Sequence, residues 1–167
     1  MRNAWHAQTA LLIALLAPAA GAQRVGTPAP EIDFPTQDGG RAQLSKLRGH
    51  PVIVTFWGTW CPPCRVEFPQ LVEAYRKHHD QGLEVIAVDQ TKWEKKKQDV
   101  QAFVDEFGVT FPVALDQHGK TNRSYRLIGL PTTMFIDTGG VVRHIHIGPP
   151  LGPDDIAKGL ATILPKP

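Results

Sequence analysis

Cysteine is scarce in this sequence, where only Cys61 and Cys64 carry a thiol among 167 residues. A structural zinc site would need two more ligands at matching spacing, and we find none. Covalent haem attachment would need a histidine after the second cysteine, and Arg65 stands there instead. A disulfide between residues this close together stabilises a fold little. Redox chemistry is therefore the first hypothesis, and it calls for no cofactor and no metal because two sulfurs hold both electrons.

An excess of charge is absent as well. The chain has 18 Lys and Arg against 16 Asp and Glu, which gives a formal net charge of +2. So balanced a composition gives no reason to expect nucleic acid or an anionic membrane as a partner. Internal repeats and low-complexity tracts are also missing, and the length suits one domain with one packed core.

A long apolar run is missing too. The run over residues 10–17 covers about half of the length that a bilayer span requires. Arg2 precedes this run and the small residues 20–22 follow it, as in a secretory signal peptide. We therefore predict a cleaved signal peptide over residues 1–22 and one folded domain over residues 23–167, with retention of the segment as an anchor as the alternative.

The apolar pattern predicts strands that alternate with helices. Residues 52–57 are apolar and rich in β-branched and aromatic side chains, which predicts a central strand buried on both faces. The turn signal at residues 37–40 predicts a β-hairpin near the N-terminus. The whole pattern indicates an α/β fold with a mixed sheet covered on both faces. The predicted strands are 31–34, 41–44, 52–57, 83–88, 111–115, a strand after Pro131, and 141–147; the predicted helices are 63–79, 92–107, 119–127 and 153–164.

Two of these helices have features of their own. In helix 63–79, Val66 belongs to the apolar positions at helical spacing, and Pro69 should kink or interrupt the helix. In helix 92–107, residues 94–97 are charged, and we interpret them as a solvated polar face.

The cysteine pair falls at the junction between the predicted strand 52–57 and the helix that follows it. A helix N-terminus stabilises a thiolate, which is the reactive form of cysteine. Disulfide exchange needs an exposed thiolate to attack and a second thiol to resolve the mixed disulfide. We therefore predict that Cys61 is the solvent-facing nucleophile and that Cys64, one turn into the helix, is the resolving thiol.

The residues around the pair resemble those of a known family. The segment Trp60-Cys61-Pro62-Pro63-Cys64, the aromatic pair Phe56-Trp57 before it and the segment Gly129-Leu130-Pro131-Thr132-Thr133 are similar to the thioredoxin superfamily. The continuation Cys64-Arg65-Val66-Glu67-Phe68-Pro69 and the extra N-terminal hairpin resemble the TlpA-like and ResA-like exported thiol-disulfide oxidoreductases.

This resemblance implies a thioredoxin-like fold in which Pro131 is in the cis form beside the cysteines. It also implies a periplasmic protein of cytochrome c-type biogenesis, which keeps the cysteine pair of apocytochrome c reduced and receives electrons from a membrane thiol reductase. One departure is visible, because Thr55 stands where cytoplasmic thioredoxins have a buried aspartate.

Four further residues complete the predicted site. Glu67 lies one helical turn after Cys64, and a partly buried carboxylate there would have a raised pKa and could exchange a proton with that thiol. The alternative for Glu67 is a first-turn acid favoured by the helix dipole. Pro131 would leave the backbone of Leu130 free to pair with a bound peptide. Trp60 offers apolar surface for docking a partner, as Trp57 would unless it packs in the core.

Pro62 and Pro63 lack the N–H groups that could bond to a thiolate, so we predict a reducing couple. The predicted function is an exported, monomeric reductant of protein disulfides. A disulfide oxidant or isomerase on the same fold, a thiol peroxidase, and a non-enzymatic binding module are the alternatives.

Overall fold

The computed structural model describes residues 23–96 and 98–164, so the predicted signal peptide lies outside the described residues. The described residues form two sheets, whose strands are β1 (Asp33–Pro35), β2 (Arg41–Gln43), β3 (Val52–Trp57), β4 (Glu84–Asp89), β5 (Val113–Leu115), β6 (Thr132–Ile136) and β7 (Val142–Ile147).

Strand β3 lies at the centre of a five-stranded mixed sheet with the order β5-β4-β3-β6-β7. On one side β3 pairs parallel with β4, which pairs parallel with β5. On the other side β3 pairs antiparallel with β6, which pairs antiparallel with β7. Strands β1 and β2 form a separate antiparallel hairpin. The predicted mixed sheet and N-terminal hairpin are confirmed, and all six residues of β3 are buried as predicted.

The helices lie between the strands and at the C-terminal end of the domain. They are α1 (Pro62–His78), α2 (Gln98–Phe107), α3 (Lys120–Ser124) and α4 (Pro153–Leu160). Within the described part of the chain, no helix combines the length and the apolar character that a membrane crossing demands.

Alternating residues of β3 supply two cores, one on each face of the sheet, because successive side chains of a strand point to opposite faces. Ile53 and Trp57 belong to the core that α1, α2 and α4 cover, which also contains both cysteines. Val54 and Phe56 belong to the core that the hairpin and Tyr125 cover. The redox pair therefore lies on the face of the sheet that carries α1.

Three buried aromatic rings join β3, α1 and α2. The ring centroid of Trp57 lies 4.6 Å from that of Phe68 and 4.3 Å from that of Phe103, and the last two lie 4.7 Å apart. Such pairs contribute about 0.5–1.5 kcal/mol each beyond the burial of their area. Because Trp57 ends β3 and Phe68 lies on α1, this cluster fixes the start of the helix relative to the end of the strand.

Two expectations for the first helix need correction. Helix α1 is not interrupted at Pro69, which lies on its exposed side and has no N–H to donate to the Arg65 carbonyl. Val66 is 63% exposed, and the buried face of the helix is formed instead by Cys64, Glu67, Phe68, Leu71 and Ala74.

The predicted helix 92–107 is also too long. Residues Thr91–Trp93 form a short 3-10 helix, and α2 begins only at Gln98. Glu94 does not extend a solvated helical face, because its carboxylate bonds to Thr59 in the loop before the cysteines.

A first prediction concerns the contact between α4 and β6. A Cβ atom on Gly159 would lie 2.2 Å from the ring of the buried Phe135. Alanine usually stabilises a helix interior relative to glycine. Here it would overpack the core, so we expect Gly159→Ala to lower the free energy of unfolding by about 1–3 kcal/mol in urea denaturation. Lys158→Ala, at an exposed neighbour, should change it by less than about 0.5 kcal/mol. An equal or higher stability of Gly159→Ala would contradict this packing.

Candidate active site

The two cysteines lie at the N-terminus of α1, where a disulfide joins them. Cys61 is the N-cap residue, with an extended backbone (φ −97°, ψ 102°), and Pro62 is the first residue of the helix. The Cα atoms of Cys61 and Cys64 lie 5.3 Å apart. The pair is thus held in its oxidised state at the end of the helix that stabilises a thiolate.

The helix offers the Cys61 sulfur one backbone donor, the N–H of Cys64, whose nitrogen lies 3.3 Å from Sγ. An N-cap side chain ordinarily accepts from the second or third helical residue. The second residue is Pro63, which has no N–H. A Cys61 thiolate would therefore receive half of the hydrogen bonds that this position can provide.

Both cysteines are buried in this state. Cys61 is 4% exposed and Cys64 is not exposed at all. Cys61 is the more accessible of the two, but the expectation that it meets solvent is wrong for the disulfide form. The reason is that it packs in the core around Trp57, while its neighbours Trp60 and Pro62 take the surface.

Glu67 is fully buried one turn after Cys64. Its Oε1 accepts from the hydroxyl groups of Thr55 at 3.0 Å and Thr133 at 2.9 Å, and its Oε2 accepts from the Leu151 N–H at 3.3 Å. Burial raises the pKa of the Glu67 carboxyl, and the hydrogen bonds from these three residues offset only part of that effect.

Oε1 of Glu67 and the hydroxyl oxygens of Thr55 and Thr133 form a closed triangle, because the two hydroxyl oxygens also lie 2.8 Å apart. Each hydroxyl can donate one hydrogen, so two hydroxyl hydrogens face three oxygen–oxygen contacts. If Thr133 donates to Thr55 and Thr55 donates to Oε1, the third contact is filled only by a proton on Oε1 that is donated to the Thr133 hydroxyl. The triangle can therefore accommodate a protonated Glu67, in the direction in which burial raises its pKa.

Thr55 and Thr133 are residues that sequence reasoning did not place in the site. They are buried and lie opposite each other in the register of β3 and β6. The Thr55 hydroxyl on β3 thus bonds to the carboxyl group that α1 contributes. The sequence does show Thr55 as a polar residue in an otherwise apolar strand. It does not show that β3 pairs with β6, or the register that places Thr133 opposite Thr55.

Pro131 directly precedes β6, whose first residue pairs with Phe56 near the end of β3. The Leu130–Pro131 peptide bond is cis, as predicted. Within the described residues, neither the N–H nor the carbonyl of Leu130 makes a backbone hydrogen bond. Both backbone groups of Leu130 are therefore without a backbone partner in this part of the protein.

A groove of about 480 Å³ opens next to this backbone. Its lining includes Trp60, Trp93, Ile128 and Leu130, and the first three are 46%, 42% and 83% exposed. Trp57, by contrast, is not exposed, so of the two tryptophans considered only Trp60 offers a surface to a partner.

Comparison with known proteins agrees with this geometry. The model of the AhpC/TSA family matches residues 25–145. The chain is 38% identical over 123 residues to the thioredoxin-like protein YneN of Bacillus subtilis, which covers 74% of this chain and 71% of that protein. It is 37% identical over 141 residues to the thiol-disulfide oxidoreductase ResA of Geobacillus kaustophilus, which covers 84% of this chain and 79% of that protein.

Among solved structures, a thiol:disulfide interchange protein of the DsbE type from Chlorobium tepidum is similar, with a TM-score of 0.75 and 31% identity. The match covers 84% of this chain and 97% of that one. The predicted thioredoxin-like fold and the predicted enzyme class are both confirmed. The chain belongs to the AhpC/TSA family of thioredoxin-like proteins, within which it is a thiol-disulfide oxidoreductase with the pair Cys61 and Cys64.

Proposed function

We propose that this protein is an exported reductant of protein disulfides, in which Cys61 attacks and Cys64 resolves. The observation that carries the proposal is the N-cap position of Cys61 with a single helix donor, the Cys64 N–H. Stabilisation of the reduced, thiolate form is what makes a couple oxidising. With Pro63 removing the second donor, the reduced form is stabilised less, and the pair gives its electrons away more readily.

The reaction has two exchange steps. In the first, the Cys61 thiolate attacks one sulfur of the substrate disulfide, a mixed disulfide forms, and the other substrate sulfur leaves and takes up a proton. In the second, Cys64 loses its proton and attacks the Cys61 sulfur, which releases the second substrate thiol. The substrate gains two electrons and two protons, and the protein ends with the Cys61–Cys64 disulfide that the structure contains.

Glu67 is the proposed proton acceptor for Cys64 in the second step. It lies one turn further along the buried face of α1, with its carboxyl oxygens on Thr55, Thr133 and Leu151 rather than on a sulfur. A general base works best when its pKa is close to the operating pH, and burial moves the pKa of Glu67 upward in that direction. The alternative, a first-turn acid favoured by the helix dipole, does not describe Glu67, because it is the sixth residue of α1 and the dipole effect falls off within the first turn.

The proposed docking surface combines backbone and apolar side chains. The unpaired N–H and carbonyl of Leu130 would accept an extended substrate segment as a short strand, next to Pro131. The exposed ring of Trp60 would cover the apolar side chains that flank the substrate cysteine. Trp60, the neighbour of Cys61 in the sequence, and Leu130 both line the groove described above.

Partner and location extend the proposal. The family resemblance makes apocytochrome c the favoured substrate, in cytochrome c maturation, and a membrane thiol reductase the electron donor. Export to the periplasm would follow from removal of residues 1–22 as a signal peptide. We propose a monomer without a bound cofactor, since the two sulfurs carry the electrons.

The redox potential tests the direction of electron flow. Equilibration with dithiothreitol or glutathione buffers should place the couple near or below about −250 mV, whereas a strong oxidant lies near about −120 mV. Pro63→Ala restores an N–H that can reach Cys61, and a hydrogen bond to a charged group contributes about 1.5–3 kcal/mol. We therefore expect this variant to be more oxidising by about 30–60 mV.

Pro62→Ala is the matched control, because the N–H of the first helical residue does not face an N-cap side chain. Its potential should stay close to that of the wild type. An oxidising wild type would support the oxidant or isomerase instead, and rapid consumption of peroxide by the reduced protein would support a peroxidase. Equal potentials for all three proteins would refute the role given to the missing donor.

Glu67→Gln tests proton transfer. We expect reduction of a protein disulfide to slow by about 10²-fold and to lose the part of its pH dependence that Glu67 supplies. Because the pKa of Glu67 is raised in the folded state, its contribution to stability declines as the pH rises from about 4.5, and the variant should lack this decline. Glu73→Gln, on the exposed side of the same helix, should resemble the wild type. An unchanged pH profile in Glu67→Gln would leave only a structural role.

Cys64→Ser tests the assignment of the two thiols and the class of substrate. Without a resolving thiol the mixed disulfide should persist, so oxidised apocytochrome c should become covalently attached through Cys61 and be released by dithiothreitol. Non-reducing electrophoresis and mass spectrometry detect the adduct. Cys61→Ser should trap far less, because Cys64 is the more buried sulfur. Preferential trapping by Cys61→Ser would reverse the two roles.

A further inference from the structure

A second buried acid lies beside the active site. Asp89 is the last residue of β4, pairs in register with Trp57 and is not exposed. Its Oδ1 accepts from the Thr91 hydroxyl at 2.5 Å. Its Oδ2 has no hydrogen-bond partner among the described residues. A buried carboxylate oxygen without a donor is costly, so this atom requires a physical explanation.

Glu94 connects Asp89 to the loop before the nucleophile. One of its oxygens accepts from the Thr59 N–H at 2.6 Å, and the other accepts from the Thr59 hydroxyl. The N–H of Cys61, two residues further on, donates to the Gly58 carbonyl at 3.1 Å. The Glu94 carboxylate therefore accepts hydrogen bonds from both donors of Thr59, which lies in the turn before Cys61.

Thr91 joins the two acids, because its hydroxyl donates to Oδ1 of Asp89 and its carbonyl accepts from the Glu94 N–H at 3.2 Å. Two neighbouring carboxyl groups repel each other when both are ionised, and one proton shared between them removes the repulsion. The free Oδ2 of Asp89 is the atom on which this proton can sit, because both oxygens of Glu94 already accept from Thr59.

Other groups around Asp89 favour the same protonation state. The pKa of Asp89 is raised to about 8, chiefly by desolvation, with the charges of Glu94 and Asp116 acting in the same direction and the Thr91 hydroxyl opposing them. Asp116 follows β5, and its N–H donates to the Asp89 carbonyl at 3.0 Å. On β3 the neighbour is the uncharged ring of Trp57.

We propose that Asp89, in its protonated form, donates to Glu94 and that the two acids act as positioning residues that hold Thr59, and through it Cys61, in the geometry of disulfide exchange. This inference rests on the proposed function for its effect on activity. When Asp89 loses its proton, the two carboxylates repel each other and Glu94 releases the turn. The reactivity of the cysteine pair therefore depends on the protonation state of Asp89 as well as on that of the cysteines.

The oxidised protein gives the sharpest test, because it has no thiol that titrates. The measurement is an NMR titration of the Thr59 amide resonance between about pH 6 and pH 10. In the wild type we expect a transition near pH 8, above the range of ordinary histidines. Asp89→Asn can still donate to Glu94 but cannot ionise, so the transition should disappear. Asp105→Asn, which removes an exposed carboxylate on α2, should leave it in place.

Activity of the reduced protein gives the second readout. Glu94→Ala should lower the rate of protein-disulfide reduction about tenfold at neutral pH, because Thr59 loses its acceptors and Cys61 its position. Glu94→Gln keeps one acceptor oxygen, so its rate should lie between those of Glu94→Ala and the wild type. It replaces Glu94→Ala in this test if the alanine variant does not fold. In the wild type the rate should fall above pH 8 more steeply than in Asp89→Asn.

Two results would overturn the proposal: an identical Thr59 titration in Asp89→Asn and wild type, or a rate in both Glu94 variants within twofold of the wild type. Failure of the proposed function is distinguishable from both. A wild type that reduces no protein disulfide would remove that function, but the Thr59 titration in the oxidised protein would still decide whether the two acids hold the turn.

Discussion

The packing of α1 against β3 is the interaction on which the rest of this structure depends. Trp57 at the end of the strand, Phe68 on the helix and Phe103 on α2 form one buried aromatic cluster. Because interiors are close-packed, this cluster leaves the helix a single position on the sheet. The N-terminus of α1 thereby presents its dipole to Cys61, and the buried face of the same helix carries Cys64 and Glu67 inward. One packing contact places all three groups of the proposed reaction.

Burial on both sides of β3 has a common electrostatic result. Toward β6, Glu67 lies among the hydroxyls of Thr55 and Thr133; toward β4, Asp89 lies beside Glu94. In both places desolvation raises the pKa of a carboxyl group, so each holds a proton over a pH range where a surface acid is ionised. The proposed reaction moves protons as well as electrons, and the same sheet positions the two buried acids and the strand that leads to the cysteines.

The surface around the pair is built differently from its interior. Apolar side chains with large exposed fractions, Trp60, Trp93 and Ile128, surround a backbone segment at Leu130 without backbone partners in the described part of the chain. Main-chain hydrogen bonds give affinity without reading side chains, while an apolar groove accepts many sequences. Such a surface suits the proposed docking of an extended substrate segment.

The amino-acid sequence by itself determined whatever depends on neighbours along the chain. The buried strand β3, the hairpin, the cysteine spacing, the lost N–H of Pro63 and the family motif at Pro131 are all local patterns, and local propensity and turn chemistry suffice to identify them. Tertiary structure alone decided the contacts between distant residues: Thr133 and Glu67 are 66 positions apart, and Glu94 and Thr59 are 35 apart. Strand register and loop packing bring these groups together, and neither leaves a periodic signal in the sequence, which is why Glu94 looked like one more charge on a solvated helix.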